Sequence, residues 1–151
     1  MLLATVDSSA YKVLLFLHIL SVIIAFAPAF VWPFVSVRLR KANQPVGATI
    51  NQLAGGNTLK IHGPAFAASG IFGFGLIGVS DKVWAFDQTW ISIAMLLWFL
   101  GLGVMFGLMA PAEKKAEAGD EGAEAKLTMY GGMLHILLFL LLVDMIWKPG
   151  L

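Results

Sequence analysis

The chain has 151 residues, of which 59% are hydrophobic and 13% charged, with a formal net charge of +1 and no cysteine. A soluble domain carries roughly 45–50% apolar residues, so this composition points to the membrane. The charge balance gives no basic surface for nucleic acid, and the missing thiols exclude disulfides, thiolate nucleophiles, zinc–thiolate sites and iron–sulfur clusters.

Four apolar blocks follow one another, each near the ~20 residues that a helix needs to cross a hydrocarbon core. The first, 13–37, is "VLLFLHILSVIIAFAPAFVWPFVSV". His18 begins a stripe of small residues at helical spacing, Ser21, Ala25 and Ala29, which lets a second helix approach. Pro28 and Pro33 lie deeper in the same block; each removes an amide donor, bends the helix and loosens backbone carbonyls. "AFA" at 25–27 has the small-x-small form of a signal cleavage site. Pro28 directly after it, no basic residue before Lys12 and an apolar run continuing to Val37 argue against cleavage. Residues 38–60 form a polar, basic loop.

The second block, 61–80, opens with "KIHGP", and Pro64 suits the first turn of a helix. His62 is followed on its face by Ala65, Ser69 and Gly73, and Gly70, Gly75 and Gly78 add further small residues for close packing. A short loop, 81–89, leads to the third block, 90–110, which carries a Gly-x-x-x-Gly surface at Gly103 and Gly107. The Ala-, Glu- and Lys-rich stretch after it, 110–128, is expected to be a solvated, partly helical and mobile loop. The fourth block, 130–147, holds His135 and Asp144. The expected fold is a single domain over 1–151, all-α, a bundle of four transmembrane helices, since helices satisfy their own backbone groups in lipid.

Lys and Arg set the orientation. Arg38, Arg40, Lys41, Lys60, Lys114, Lys115 and Lys126 fall in the first and third loops, against Lys12, Lys82 and Lys148 elsewhere. The positive-inside rule places those two loops in the cytoplasm and both termini on the outer side of a bacterial inner membrane. Tyr11, Trp84, Trp90 and Trp147 then mark the outer boundary.

The tetrapeptide Leu-His-Ile-Leu occurs twice, around His18 and around His135. With this topology the two histidines enter from opposite surfaces and end ~15 Å apart in depth, so they do not form one site. Asp144 lies close to the depth of His18, which offers a hydrogen bond between the first and fourth helices; alternatively the carboxylate reaches Lys148 at i+4. His62 and His135 share the inner end of the bundle. Either they hold a flat cofactor between them, a b-type haem, with Gly131 and Gly132 clearing its face, or His62 is interfacial and His135 a packing residue. His135 and Asp144 project from opposite sides of the fourth helix, so either one of them snorkels or the helix is covered on both sides, as in an oligomer or a larger complex.

The start "YKVLLFLHILSVI" and the close "LLLVDMIWKPGL" resemble a family of uncharacterised bacterial predicted integral membrane proteins of this size, with four spans. The segment around His18 is also similar to the first span of copper-resistance membrane proteins of the CopD type and of HemJ-type protoporphyrinogen oxidases. The first resemblance implies no activity; the second implies haem or metal handling. No phosphate loop, nucleophile triad or carboxylate pair supports catalysis. The expectation is a structural or accessory component of a membrane assembly, surrounded by lipid and by other subunits or copies of itself. A haem protein or an oligomeric metal or small-solute permease are the alternatives.

Overall fold

The computed structural model describes residues 6–151, the side chain of Glu121 excepted, and is helical throughout, with no strand among the described residues. Helix α1 spans Ser9–Lys41; the Ser8 hydroxyl accepts the Tyr11 amide at 3.2 Å and so caps its first turn. Helix α2 spans Val46–Ala54 and α3 spans Gly63–Gly78. Helix α4 covers Thr89–Leu102, α5 covers Ala110–Glu117 and α6 covers Glu121–Trp147. Two π-helical segments, Thr58–His62 and Gly103–Met109, run directly into α3 and α5. With them included, four helices are long and apolar enough to cross a membrane: Ser9–Lys41, Thr58–Gly78, Thr89–Glu117 and Gly122–Trp147.

The π segments have a local cause. Each ends two residues before a proline, Pro64 or Pro111, whose ring crowds the preceding turn and which has no amide to donate. A wider turn relieves that crowding and rotates every side chain that precedes it.

The first loop differs from its sequence expectation, and the third is helical as expected in part but not solvated. Residues 38–60 are largely helical: α1 continues through Arg40, and α2 follows after a short turn. Residues 110–128 form the end of one long helix and the start of the next, broken only at Ala118–Asp120, where Gly119 has φ +89° and the Asp120 carboxylate accepts the Gly122 amide at 2.9 Å. Ala112, Glu113 and Ala123 in this stretch are buried rather than solvated.

Helix α1 packs antiparallel along α3, and α6 packs along α4 and α5. The two small-residue stripes meet: Ser21 and Ala25 of α1 and Ser69 of α3 are all buried. The core joins Phe26, Phe66, Met105, Leu134 and Leu138, with Phe26 edge-on to Phe66 at 5.3 Å between ring centroids. Close approach is bought with glycine, since a Cβ at Gly70 would overlap the Trp98 indole and one at Gly101 the Phe66 ring. At the end that carries the termini, Trp84 Nε1 donates to the Tyr11 hydroxyl at 2.9 Å and Trp84 meets Trp90 edge-on at 5.3 Å. The Lys148 ammonium sits 4.1 Å from the Trp84 ring centre. Three of the four expected boundary aromatics thus lie at one level, joined to the C-terminus.

Candidate functional site

An α-helical carbonyl normally accepts the amide four residues later. Pro28 therefore leaves the carbonyl of Ile24 without its partner, and Pro33 leaves that of Ala29. In lipid such an orphan costs several kcal/mol. Both face histidine ring nitrogens from other helices, and because residue 135 already donates its main-chain amide to Gly131 O within α6, the Nε2–H tautomer of His135 is the one that supplies the donor Ala29 lacks. His62 Nδ1 donates to Ile24 O at 3.0 Å, and His135 Nε2 faces Ala29 O at 2.8 Å. The remaining histidine also reaches a main-chain oxygen, but one that no proline has freed: His18 Nδ1 donates to the Ser69 carbonyl at 2.7 Å, with its ring against Gly73. All three histidines bridge α1 to a neighbouring helix through a main-chain oxygen.

This geometry corrects the pairing of His18 with Asp144. His18 turns toward α3, and neither carboxylate oxygen of Asp144, which is 4% exposed, finds a hydrogen-bond partner among the described residues. The alternative pairing with Lys148 is not made either, because that ammonium lies over Trp84 and Trp90. Equal depth did not fix the azimuth of either side chain. His135 and Asp144 do leave α6 in different directions, and the bundle itself supplies a neighbour on each flank.

His62 and His135 are brought together on the wall of one cavity of about 830 Å³ at the loop end of the bundle. They are not arranged as a ligand pair. His135 directs its second nitrogen, Nδ1, at Gly131 O at 2.7 Å, so both of its ring nitrogens face carbonyl oxygens and neither is offered to an iron. A neutral ring donates to one of these carbonyls at a time, and the tautomer selects which. His62 keeps Nε2 free of hydrogen bonds among the described residues. Gly131 and Gly132 do open space, since nothing lies within 4 Å of a Cβ built at either and both line the cavity. Among the described residues no group of three or more His, Asp or Glu converges as a metal site.

The cavity is polar at one end and apolar at the other, and the helices explain why. Its deep wall comes from the membrane segments: Phe26, Pro28, Ala29 and Pro33 of α1, Met105 and Leu134. Its outer wall comes from the residues near the loops: Ser36, Arg40, Asn51, Thr58, Glu113 and Glu124. Helix α2 roofs this end. Val46, Ile50 and Ala54 form one row and Gly47, Asn51 and Gly55 the next, both on the cavity side, while Ala48, Gln52 and Leu53 face away. Carboxylates approach the roof closely at each end: a Cβ on Gly47 would run into the Glu124 carboxylate, and one on Gly55 would lie 2.6 Å from Glu117 Oε1.

Two features escaped sequence reasoning. Glu113, only 9% exposed, accepts the Thr58 hydroxyl at 2.5 Å and the Thr58 amide at 3.3 Å. It thereby ties α5 to the first turn of the second span. Helix α2 was legible in principle: Val46, Ile50, Leu53 and Ala54 recur at helical spacing between Pro45 and the pair Gly55–Gly56. Comparison with known proteins adds no relative: no family model, curated protein or solved structure matches this chain.

Proposed function

We propose that this chain is a non-enzymatic, multi-pass protein of a bacterial inner membrane, both termini outward, that serves as an accessory component of a membrane assembly by holding an amphiphilic molecule in its loop-end cavity. The observation that carries this reading is the polarity gradient along the cavity. A head group would meet Arg40, Asn51 and Glu124 beneath α2, and a tail would lie along Pro28, Ala29 and Leu134. The volume falls within the range of about 300–1,000 Å³ usual for small-molecule sites. The histidines support the same reading, since their placement serves helix packing rather than redox chemistry.

Filling the cavity tests this. Gly131→Trp starts from a Cβ position with nothing within 4 Å and extends an indole into the cavity that Gly131 lines. Native mass spectrometry of the gently extracted wild type should show a co-purified adduct of lipid size that the variant lacks at equal thermal stability. A wild type with no adduct contradicts the reading. A Soret band that disappears in His62→Ala would replace it with haem binding.

A further inference from the structure

The hairpin of α5 and α6 sorts its charges. Its described carboxylates are all engaged on the α2 side or in the turn. Glu113 accepts from Thr58, Glu124 lies against Gly47, and Asp120 accepts the Gly122 amide. Glu117 lies against Gly55 and Gly56, where the Lys60 ammonium also approaches. Lys115 and Lys126 line a separate cleft of about 90 Å³ that shares no residue with the larger cavity. Helical spacing brings them there: Gly107, Pro111 and Lys115 follow one another at four-residue steps, and Ala123, Lys126 and Tyr130 at steps of three and four. Ala112 and Ala123, both buried, present only methyl groups where the two helices meet. The helices therefore approach closely enough for a lysine from each to share one cleft. Two ammonium groups so placed repel each other, and an anion between them turns that repulsion into attraction. The cleft also continues toward the hydrocarbon. Gly107 lines it, Gly103 lies four residues deeper in the same span, both are exposed, and nothing stands within 4 Å of a Cβ built at either.

We infer that this cleft is a second site, for an anionic phospholipid, with its phosphate seated between Lys115 and Lys126 and an acyl chain lying along Gly107 and Gly103. Basic pockets between membrane helices at the loop end are a general setting for such head groups. Tyr130, which also lines the cleft, has a phenolic hydroxyl to donate to a phosphate oxygen. The glycine face is what selects a lipid over a free anion, since it offers room for a chain and nothing polar beyond the cleft. The inference stands apart from the amphiphile held beneath α2, because the two sites have no lining residue in common.

The test uses the full chain, immobilised in a neutral detergent and given tritiated dioleoyl phosphatidylglycerol or dioleoyl phosphatidylcholine, which share their chains and differ in net charge. An open cleft exchanges its lipid during purification, so binding is read after lipid is added back. Phosphatidylglycerol should be held more tightly, and Lys115→Gln and Lys126→Gln should each reduce that preference about fivefold. Lys114→Gln, which removes a charge from the same helix outside the cleft, should leave the preference unchanged. Gly107→Leu, which fills the chain groove, should weaken both lipids. Equal binding of the two lipids overturns the inference, and so does a loss in Lys114→Gln as large as in Lys115→Gln, which marks unspecific attraction. Displacement by inorganic phosphate beyond that by sodium chloride of equal ionic strength would make this a free-anion site and overturn the lipid assignment. The preference should persist in Gly131→Trp; its loss there would move the anionic lipid into the larger cavity, overturning this site while supporting the cavity reading.

Discussion

Each proline in α1 removes one donor, and each missing donor is replaced from another helix, so the prolines and histidines are two halves of one device. Half of it was legible in the sequence: Pro28 and Pro33 announce loose carbonyls. The donors were not legible, because nothing local says that a histidine 38 residues from Ile24 and another 106 residues from Ala29 will reach them. The pairing of His18 with Asp144 failed for the same reason, since depth along a helix is readable from spacing but direction around it depends on packing. Thr58 and Glu113 repeat the pattern, joining residues 55 apart. Thr58→Val should lower stability by about 1–3 kcal/mol, the cost of stranding a buried acceptor. The additional change Glu113→Leu, which removes the stranded group, should recover part of that loss in thermal unfolding. Additive losses would show that the hydroxyl and carboxylate are independent.

Among the elements, the four spans were legible because long apolar runs dominate local signals, and the structure extends rather than moves them. What the composition concealed were α2, where glycine and polar residues read as loop, and the burial of Ala112, Glu113 and Ala123 in the partly helical stretch around Ala118–Asp120. Those concealed elements close the cavity. Helix α2 has no buried residue of its own, and its first turn lies against the Glu124 carboxylate, which favourably faces the amide end of the helix. Gly47→Leu pushes the flexible Glu124 side chain aside without striking backbone, so it should loosen the roof and leave the bundle intact. Hydrogen exchange should accelerate across Val46–Ala54 while α3 and α6 keep wild-type protection. Unchanged exchange in α2 would mean this contact carries no free energy.

For the whole molecule, the orientation proposed here makes α1 the hub to which α3 and α6 are pinned, with the cavity toward the cytoplasm. The absence of native cysteine allows single cysteines to report on sidedness directly. Ala42→Cys and Ala118→Cys should be shielded from an impermeant maleimide added outside intact cells, and Asp87→Cys should react. The reverse pattern would invert the bundle and place the cavity on the outer face. The central structural claim is that histidine donors replace the amides removed by proline, and a double-mutant cycle on Pro33 and His135 addresses it most directly. In the wild-type background His135→Ala should cost about 1–3 kcal/mol, since it strands the Ala29 carbonyl. In Pro33→Ala, where the restored amide of residue 33 takes that carbonyl, the same change should cost about half of this or less. Equal costs in the two backgrounds, measured by detergent unfolding followed through tryptophan fluorescence, would show that the two residues do not interact and would contradict the account.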